Sequence, residues 1–164
     1  MKPTFLQLYE ECFEDVYRYI FCKTGHTWDT DDLVSEVFQK AYAKYSTATR
    51  NPKAWLFAIA RNALNDHYRR QNQIPTDEIE KFLCPEVLQN REDHWEKEAD
   101  FTCLKTALLC LEQQDLEVIK LRYFANLKYK EMSVLMGKDQ DLLKTRHHRI
   151  LKKLRALLKK CLEG

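Results

Sequence analysis

Apolar residues recur at helical spacing along most of the chain, and this pattern predicts an all-helical protein. Between Thr4 and Lys23 they return every third or fourth position, as in an amphipathic helix with one buried face. Thr4 is suited to cap this helix and Gly25 to end it. The same period predicts a second helix that begins near Asp29 and a third from about Lys53 to Gln71. Three such helices can share one core, so we expect residues 1–72 to form a bundle.

The helical period is lost over residues 73–90, which we interpret as a linker, and it resumes beyond them. The pattern then predicts four helices, from about Arg91 for about five turns, from Asp115 to Phe124, from Tyr129 to Met136, and from about Gln140 to Cys161. The predicted fold is therefore all-α, with two small helical domains, residues 1–72 and 91–164, joined by a linker.

Charge is distributed unevenly along the chain, although its formal net charge is only +2. Residues 76–100 carry a net charge of −6, whereas residues 46–75 carry +4 and residues 120–164 carry +9. The linker is thus acidic and both flanking domains have a basic part. Two basic regions separated by an acidic connector indicate two contacts with a polyanion such as DNA.

Several functional classes are disfavoured by what the sequence lacks. No run approaches the ~20 apolar residues needed to cross a bilayer, and the N-terminus has no secretory signal layout. We therefore expect a cytoplasmic protein without membrane insertion. The chain also has no nucleophile elbow, no phosphate-binding glycine loop and no paired metal ligands. An enzyme is disfavoured, and no cofactor or metal is expected.

The six cysteines are scattered and contain no C-x-x-C pair, so they do not indicate a zinc site or a disulfide framework. In a reducing cytoplasm the simplest interpretation is free thiols. We predict that four of them are buried, namely Cys12, Cys22, Cys103 and Cys110. Cys84 and Cys161 are expected to be exposed.

The C-terminal part of the sequence has the layout of a helix-turn-helix. A short helix over Tyr129–Met136 is followed by Gly137 and then by a strongly basic helix. In such a motif the second helix enters the major groove, where Arg and Lys can read guanine edges. Taken alone this signal is moderate, because a basic amphipathic helix is more often a solvated surface.

Three segments together resemble the extracytoplasmic-function (ECF) group of bacterial RNA polymerase sigma factors. The segment Asp32-Leu33-Val34-Ser35-Glu36-Val37-Phe38 is similar to the family's helix for binding core polymerase. The segment from Lys53 to Asn62, KAWLFAIARN, is similar to its promoter −10 helix, and the segment from Leu121 to Glu131 looks like the family's LRYF-x-x-L-S-Y-x-E run, which leads into the −35 helix-turn-helix. Their order and spacing make the resemblance specific, and it covers about residues 10–72 and 100–160.

The resemblance implies a sigma factor that binds core RNA polymerase and directs promoter-specific initiation through contacts with promoter DNA. The core-polymerase-binding residues would be Asp32, Leu33, Glu36, Phe38 and Gln39. The −10 residues would be Thr47, Arg50, Asn51, Arg61, Asn62, Arg69 and Arg70. The −35 residues would be Lys144, Thr145, Arg146, His148 and Arg149. An anti-sigma factor would be a further partner, which the sequence leaves open.

Some positions depart from the family pattern, and other functions stay open at this point. Ser35 replaces a usual Gln, Ala58 a usual Arg, and Asp141-Leu142-Leu143 a usual Gly-Thr-Val, so promoter sequence is not predictable. The main alternative is a stand-alone helix-turn-helix regulator or a sigma-like adaptor, which would bind duplex DNA tightly without polymerase. A weaker alternative is a helical module that binds an acidic protein partner.

Overall fold

A computed structural model describes residues 3–47, 49–71 and 98–163, and these are almost entirely helical, as predicted. The predicted linker and the predicted helical turns at residues 91–97 lie outside the described residues. No helix in the described ranges is long and apolar enough to span a membrane. The helices are α1 Phe5–Thr24, α2 Thr27–Lys44, α3 Pro52–Arg70, α4 Glu98–Leu109, α5 Gln113–Ile119, α6 Tyr129–Met136 and α7 Gln140–Glu163.

The first three helices form the N-terminal bundle. Thr4 caps α1 through a capping box with Gln7, and Gly25 ends the helix in the left-handed conformation, with φ of 70°. Pro52 stands in the first turn of α3, where a missing N–H costs nothing. The bundle core contains Val16 of α1, Val37 of α2 and other apolar residues that the helical period selects.

The remaining four helices form the C-terminal domain, with two local departures from a regular helix pattern. After Ile119, α5 continues as a π-helical turn over Lys120–Phe124. The segment from Asp115 to Phe124, predicted as a single helix, is therefore α-helical in its first part and π-helical in its second. Between α6 and α7, Gly137 has φ of +65°. A Cβ added at Gly137 would meet no atom within 4 Å, so a substitution there would be strained by the backbone conformation alone.

The two domains pack directly against each other and share one continuous hydrophobic core. Helix α1 contacts the π-helical turn, and α3 contacts α6. Buried residues from both sides of this junction include Ile20 and Leu64 of the bundle and Leu121 and Met132 of the C-terminal domain. The sequence pattern predicted two separate modules and gave no indication of this contact.

The cysteines differ in part from the prediction. Cys12 and Cys22 are buried and are not part of a disulfide, as predicted, and burial raises the pKa of Cys12 to about 11. Cys110 was predicted to be buried but is exposed, because it follows the last residue of α4. The free-thiol prediction is wrong for Cys103 and Cys161, which form a disulfide. Cys84 lies outside the described residues.

Candidate protein and nucleic-acid interfaces

Helix α2 presents a polar face to solvent and an apolar face to the bundle. Asp32 and Gln39 are exposed, and Glu36 is half-buried beside Lys40, with 2.7 Å between its carboxylate and the ammonium group. The other two residues predicted to bind polymerase, Leu33 and Phe38, lie in the core. Their burial means that they support the helix, whereas a partner could touch the three polar residues.

The loop between α2 and α3 is closed by a turn and flanked by aromatic rings. The backbone N–H of Thr49 donates to the carbonyl of Ser46 at 2.9 Å. The ring of Tyr45 packs against that of Trp55, with 5.9 Å between centroids. This loop places the predicted DNA-contacting residues Thr47 and Arg50 in solvent.

Asn51 forms the junction between this loop and α3. Its φ of 48° is left-handed, a conformation that asparagine tolerates better than most residues. Trp55 and Ile59, which are four residues apart on α3, are partly buried against the bundle core.

Helix α3 carries the four remaining residues of the predicted −10 surface, in two groups. Asn62 is exposed near its middle, and Arg69 and Arg70 are exposed in its last turn. Arg61 is different, because its guanidinium donates to the backbone carbonyl of Leu135 in α6 at 3.4 Å. One predicted DNA contact is therefore engaged by the C-terminal domain in this structure.

Near the contact between Arg61 and Leu135, a set of polar contacts joins α1 to the C-terminal domain. The hydroxyl of Tyr19 donates to Glu117 of α5 at 2.8 Å, and the same carboxylate forms an ion pair with Lys23. Burial, followed by the adjacent Glu117 charge, raises the pKa of Tyr19 well above its ordinary value. At neutral pH the Tyr19 hydroxyl therefore keeps its proton and acts as the hydrogen-bond donor to Glu117.

A second group of contacts joins the start of α3 to the segment after the π-helical turn. The ammonium group of Lys53 lies 2.9 Å from Asp15 and 2.9 Å from the carbonyl of Asn126. Arg18 donates to the carbonyl of Phe124 at 3.2 Å and also pairs with Asp15. Sequence reasoning missed Asp15 and Glu117 because each is one acid among many, and nothing in the local pattern marks them.

A cleft of about 420 Å³ lies at the same junction. Its lining combines the α1 and α3 side chains of the bundle with residues of α5 and α6, including Tyr19, Arg61, Asn65, Glu117 and Met136. The hydrogen-bonded and ion-paired side chains of Tyr19, Lys23 and Glu117 form part of its walls.

Helix α7 presents a basic face opposite its buried face. Leu143, Ile150 and Leu154 point into the domain core. Four of the five predicted −35 residues are exposed on the other side, namely Lys144, Thr145, His148 and Arg149. This is the surface that a recognition helix would present to the major groove.

Arg146 is the exception among the predicted −35 residues. Its guanidinium lies 2.8 Å from the carboxylate of Asp115 and 3.1 Å from the side-chain oxygen of Gln114, both in the first turn of α5. The guanidinium–carboxylate pair is largely shielded, with side-chain exposures of 28% and 20%. Arg146 thus links α7 to the first turn of α5, and it is less available to DNA than Arg149.

His147 is buried on the inner face of α7, between two tyrosine hydroxyls. Its Nε2 lies 2.9 Å from the hydroxyl of Tyr123, and its Nδ1 is hydrogen-bonded to that of Tyr129. Burial lowers the pKa of His147, and electrostatic interaction with the neighbouring Arg122 and His148 lowers it further. This histidine is therefore a neutral structural residue at pH 7.

Comparison with known proteins identifies the family. The family model of sigma-70 region 2 matches residues 8–74, and that of sigma-70 region 4 matches residues 101–154. RNA polymerase sigma factor SigV of Bacillus subtilis is 34% identical over 152 residues, which cover 90% of this chain and 86% of SigV. ECF RNA polymerase sigma factor BldN of Streptomyces coelicolor is 32% identical over 160 residues, which cover 94% of this chain but only 60% of BldN.

The fold has a counterpart among solved structures. The co-crystal structure of the sigma factor RpoE with the anti-sigma factor NepR from Bartonella quintana matches with a TM-score of 0.60 at 22% identity. The match covers 94% of this chain and 96% of that one. The two matched regions in order, together with the identity to SigV and BldN, show that the chain belongs to the ECF group of RNA polymerase sigma factors.

Proposed function

We propose that this chain is a promoter-specificity subunit that binds core RNA polymerase through α2 and directs initiation at promoters through α3 and α7. One observation carries the proposal: the predicted −35 residues of α7 form an exposed face opposite its buried residues, within the matched region 4. The exposed polar face of α2 lies within the matched region 2. The protein supplies recognition, and the polymerase supplies the chemistry.

For the −10 element, the proposed site is the loop at Thr47 and Arg50 together with α3. Opening a duplex requires unstacking of a base, whose cost must be offset by stacking and hydrogen bonds to its edge. The loop next to Tyr45 and Trp55 offers polar groups and aromatic surface at one place. Asn62 would contact the upstream edge of the element, and the two arginines at the end of α3 would contact phosphates.

For the −35 element, the proposed readers are on the exposed face of α7. An arginine can bind a guanine edge with two hydrogen bonds, which gives roughly 1–3 kcal/mol of discrimination. Arg149 is the strongest candidate because it is exposed and forms no ion pair with any of the residues that the structure describes. Lys144, Thr145 and His148 would add base or phosphate contacts.

Partners and location follow from the same proposal. Core RNA polymerase and promoter DNA would be the obligatory partners, and the site would operate in the cytoplasm. An anti-sigma factor is a further proposed partner, supported by the solved complex of the related sigma factor RpoE with NepR. No catalytic activity is proposed for the chain itself.

Run-off transcription with purified core polymerase tests the proposal, using the promoter region upstream of the chain's own gene as template. We expect transcripts only when this chain and core polymerase are both present. A stand-alone regulator would give the opposite result: no core-dependent initiation, and tight binding of the isolated chain to the duplex.

A further inference from the structure

The structure joins the two ends of the C-terminal domain through cysteine sulfurs. Cys103 lies in α4 and Cys161 in the last turn of α7, 58 residues later in the sequence, and their Cα atoms are 5.8 Å apart. We propose that these two cysteines are a reversible redox site, oxidised by low-molecular-weight disulfides and reduced by thiols, which fixes the end of the recognition helix to α4.

The surroundings of the two sulfurs suit stepwise exchange. The Cys161 residue is exposed near the end of the helix, whereas Cys103 is only 6% exposed. A thiolate at Cys161 can therefore meet a disulfide from solution first, and Cys103 can complete the reaction from the inside. Cys12 and Cys22 are buried in the N-terminal bundle and are not accessible in this way.

The reaction balances with a low-molecular-weight disulfide such as oxidised glutathione. The Cys161 thiolate attacks one sulfur of the reagent, so that a mixed disulfide forms and one thiolate leaves. The Cys103 thiolate then attacks the Cys161 sulfur, the protein disulfide forms, and the second thiolate leaves. The two protein thiols lose two protons and two electrons, and the reagent becomes two thiols. Excess reduced thiol runs the same steps backwards, as a reducing cytoplasm would.

The cross-link is placed where α7 has few other attachments. Leu154 is buried and Leu157 and Leu158 are partly buried against the core, but all five residues from Lys159 to Glu163 are exposed. Within the described residues, the disulfide is therefore the main contact that holds this last turn to α4. Reduction should loosen this end of the domain and lower its stability, since a closed loop of this length restricts the unfolded chain strongly.

The consequence for promoter binding rests on the proposed function, whereas the cross-link itself does not. Helix α7 carries the proposed −35 residues at its other end. Oxidation is expected to keep the helix folded at temperatures at which the reduced domain has lost its structure. The balance of thiols and disulfides in the cell would thus determine the range of temperatures over which the protein recognises the −35 element.

The first experiment maps the cross-link in the full-length chain. The protein is equilibrated in glutathione buffers from fully oxidised to fully reduced, alkylated, digested without reduction and analysed by mass spectrometry. We expect the peptides of Cys103 and Cys161 to be linked in the oxidised buffers and alkylated separately in the reduced ones. Linkage of Cys161 to Cys84 or Cys110, no linkage in oxidised glutathione, or linkage that persists in the most reducing buffer would each overturn the proposal.

The second experiment measures stability, with Cys161→Ser as the test and Cys110→Ser as the control. Cys161 is chosen over Cys103 because an exposed serine should not disturb the core. Oxidation should raise the thermal midpoint of the wild type and of Cys110→Ser by at least about 5 °C, and leave Cys161→Ser unchanged. Equal midpoints for oxidised and reduced wild type would refute the fixing of α7.

Binding of a −35 duplex is followed over the same temperatures. We expect the temperature at which half of the binding is lost to be higher for the oxidised protein than for the reduced protein. The difference should be similar to the difference between their thermal midpoints. If the linkage and the midpoint shift are found but neither redox form binds the duplex with or without core polymerase, the proposed function fails and the redox site stands. If binding is found with the same temperature range in both forms, the coupling to recognition is refuted.

Discussion

Arg61 of α3 donates a hydrogen bond to the backbone carbonyl of Leu135 in α6, with 3.4 Å between nitrogen and oxygen. This contact joins a proposed −10 residue to the helix-turn-helix of the other domain. The carbonyl occupies one nitrogen of the Arg61 guanidinium, so in this domain arrangement only the remaining N–H groups are available to a phosphate or a base.

The first prediction concerns the ion pair that accompanies this contact. Glu117 accepts a hydrogen bond from Tyr19 and pairs with Lys23, and the side chains of the pair are each 17% exposed. Glu117→Ala removes the acceptor of the Tyr19 hydroxyl and a partly buried ion pair with Lys23, so we expect a loss of about 1–3 kcal/mol in the free energy of unfolding, measured by urea denaturation. Small-angle scattering should show a larger radius of gyration.

Tyr19→Phe is the matched control, because it removes one hydrogen bond and keeps the ion pair. It should cost less than Glu117→Ala and leave the radius of gyration unchanged. A Glu117→Ala protein with wild-type stability and wild-type dimensions would show that these groups do not hold the domains together.

The second prediction concerns the polar face of α2. Glu36→Lys should reduce co-purification with core polymerase at least tenfold, because it reverses a charge on the proposed interface. The fold should persist, since the Glu36–Lys40 pair is partly exposed and such i, i+4 pairs contribute only about 0.3–0.5 kcal/mol. Glu112→Lys, a reversal at an exposed acid of the C-terminal domain, should leave association unchanged. Undiminished association of Glu36→Lys would remove this face from the interface.

The third prediction separates base reading from helix positioning on α7. Arg149→Ala should change the ranking of −35 sequence variants, with a loss of roughly 1–3 kcal/mol at one base pair. Arg146→Ala should weaken all variants alike and also lower the unfolding midpoint, because Arg146 pairs with Asp115. Lys159→Ala should lower affinity uniformly or not at all. Binding titrations at several salt concentrations measure all three, and an unchanged ranking for Arg149→Ala would exclude base reading by that residue.

The fourth prediction is a pH dependence from His147. The groups that face it are Tyr123 and Arg122 from the π-helical turn, Tyr129 from α6, and His148 on its own helix. Since burial lowers its pKa in the folded state, the unfolded chain binds a proton at a higher pH than the folded chain does. The His147 contribution to stability is therefore complete above a pH of about 6.5 and is lost as the pH falls from there through the folded pKa.

Urea denaturation at pH 7.5, 6.5, 5.5 and 5.0 measures this effect. The wild type should lose free energy of unfolding over this range, and His147→Gln should lose less of it, because glutamine does not titrate. His148→Gln removes one of the neighbours that lower the pKa of His147, so it should reduce the pH dependence by less than His147→Gln does. A wild-type slope in His147→Gln would assign the effect to other groups.

Helix positions could be predicted from the sequence because they depend on local spacing and on single capping residues. The bounds of α6 agree with the prediction, and α1 agrees within one residue at its C-terminal end, because Thr4, Gly25 and Gly137 act on their own turn of the backbone. The exposed faces of α2 and α7 were predictable for the same reason, since a helical period separates buried from exposed positions. The family resemblance also came from contiguous segments.

Contacts between distant residues were decided only by the tertiary structure. Arg146 has the same local sequence signal as Arg149, but α5 brings Asp115 beside one arginine and leaves the other in solvent. Cys103 and Cys161 are separated by 58 residues, and no spacing rule connects them until α4 and α7 pack side by side. The packing of helices determines which of many similar acids, arginines and thiols lie close enough to become partners. This packing is stabilised by the hydrophobic core as a whole, and no local sequence pattern contains that information.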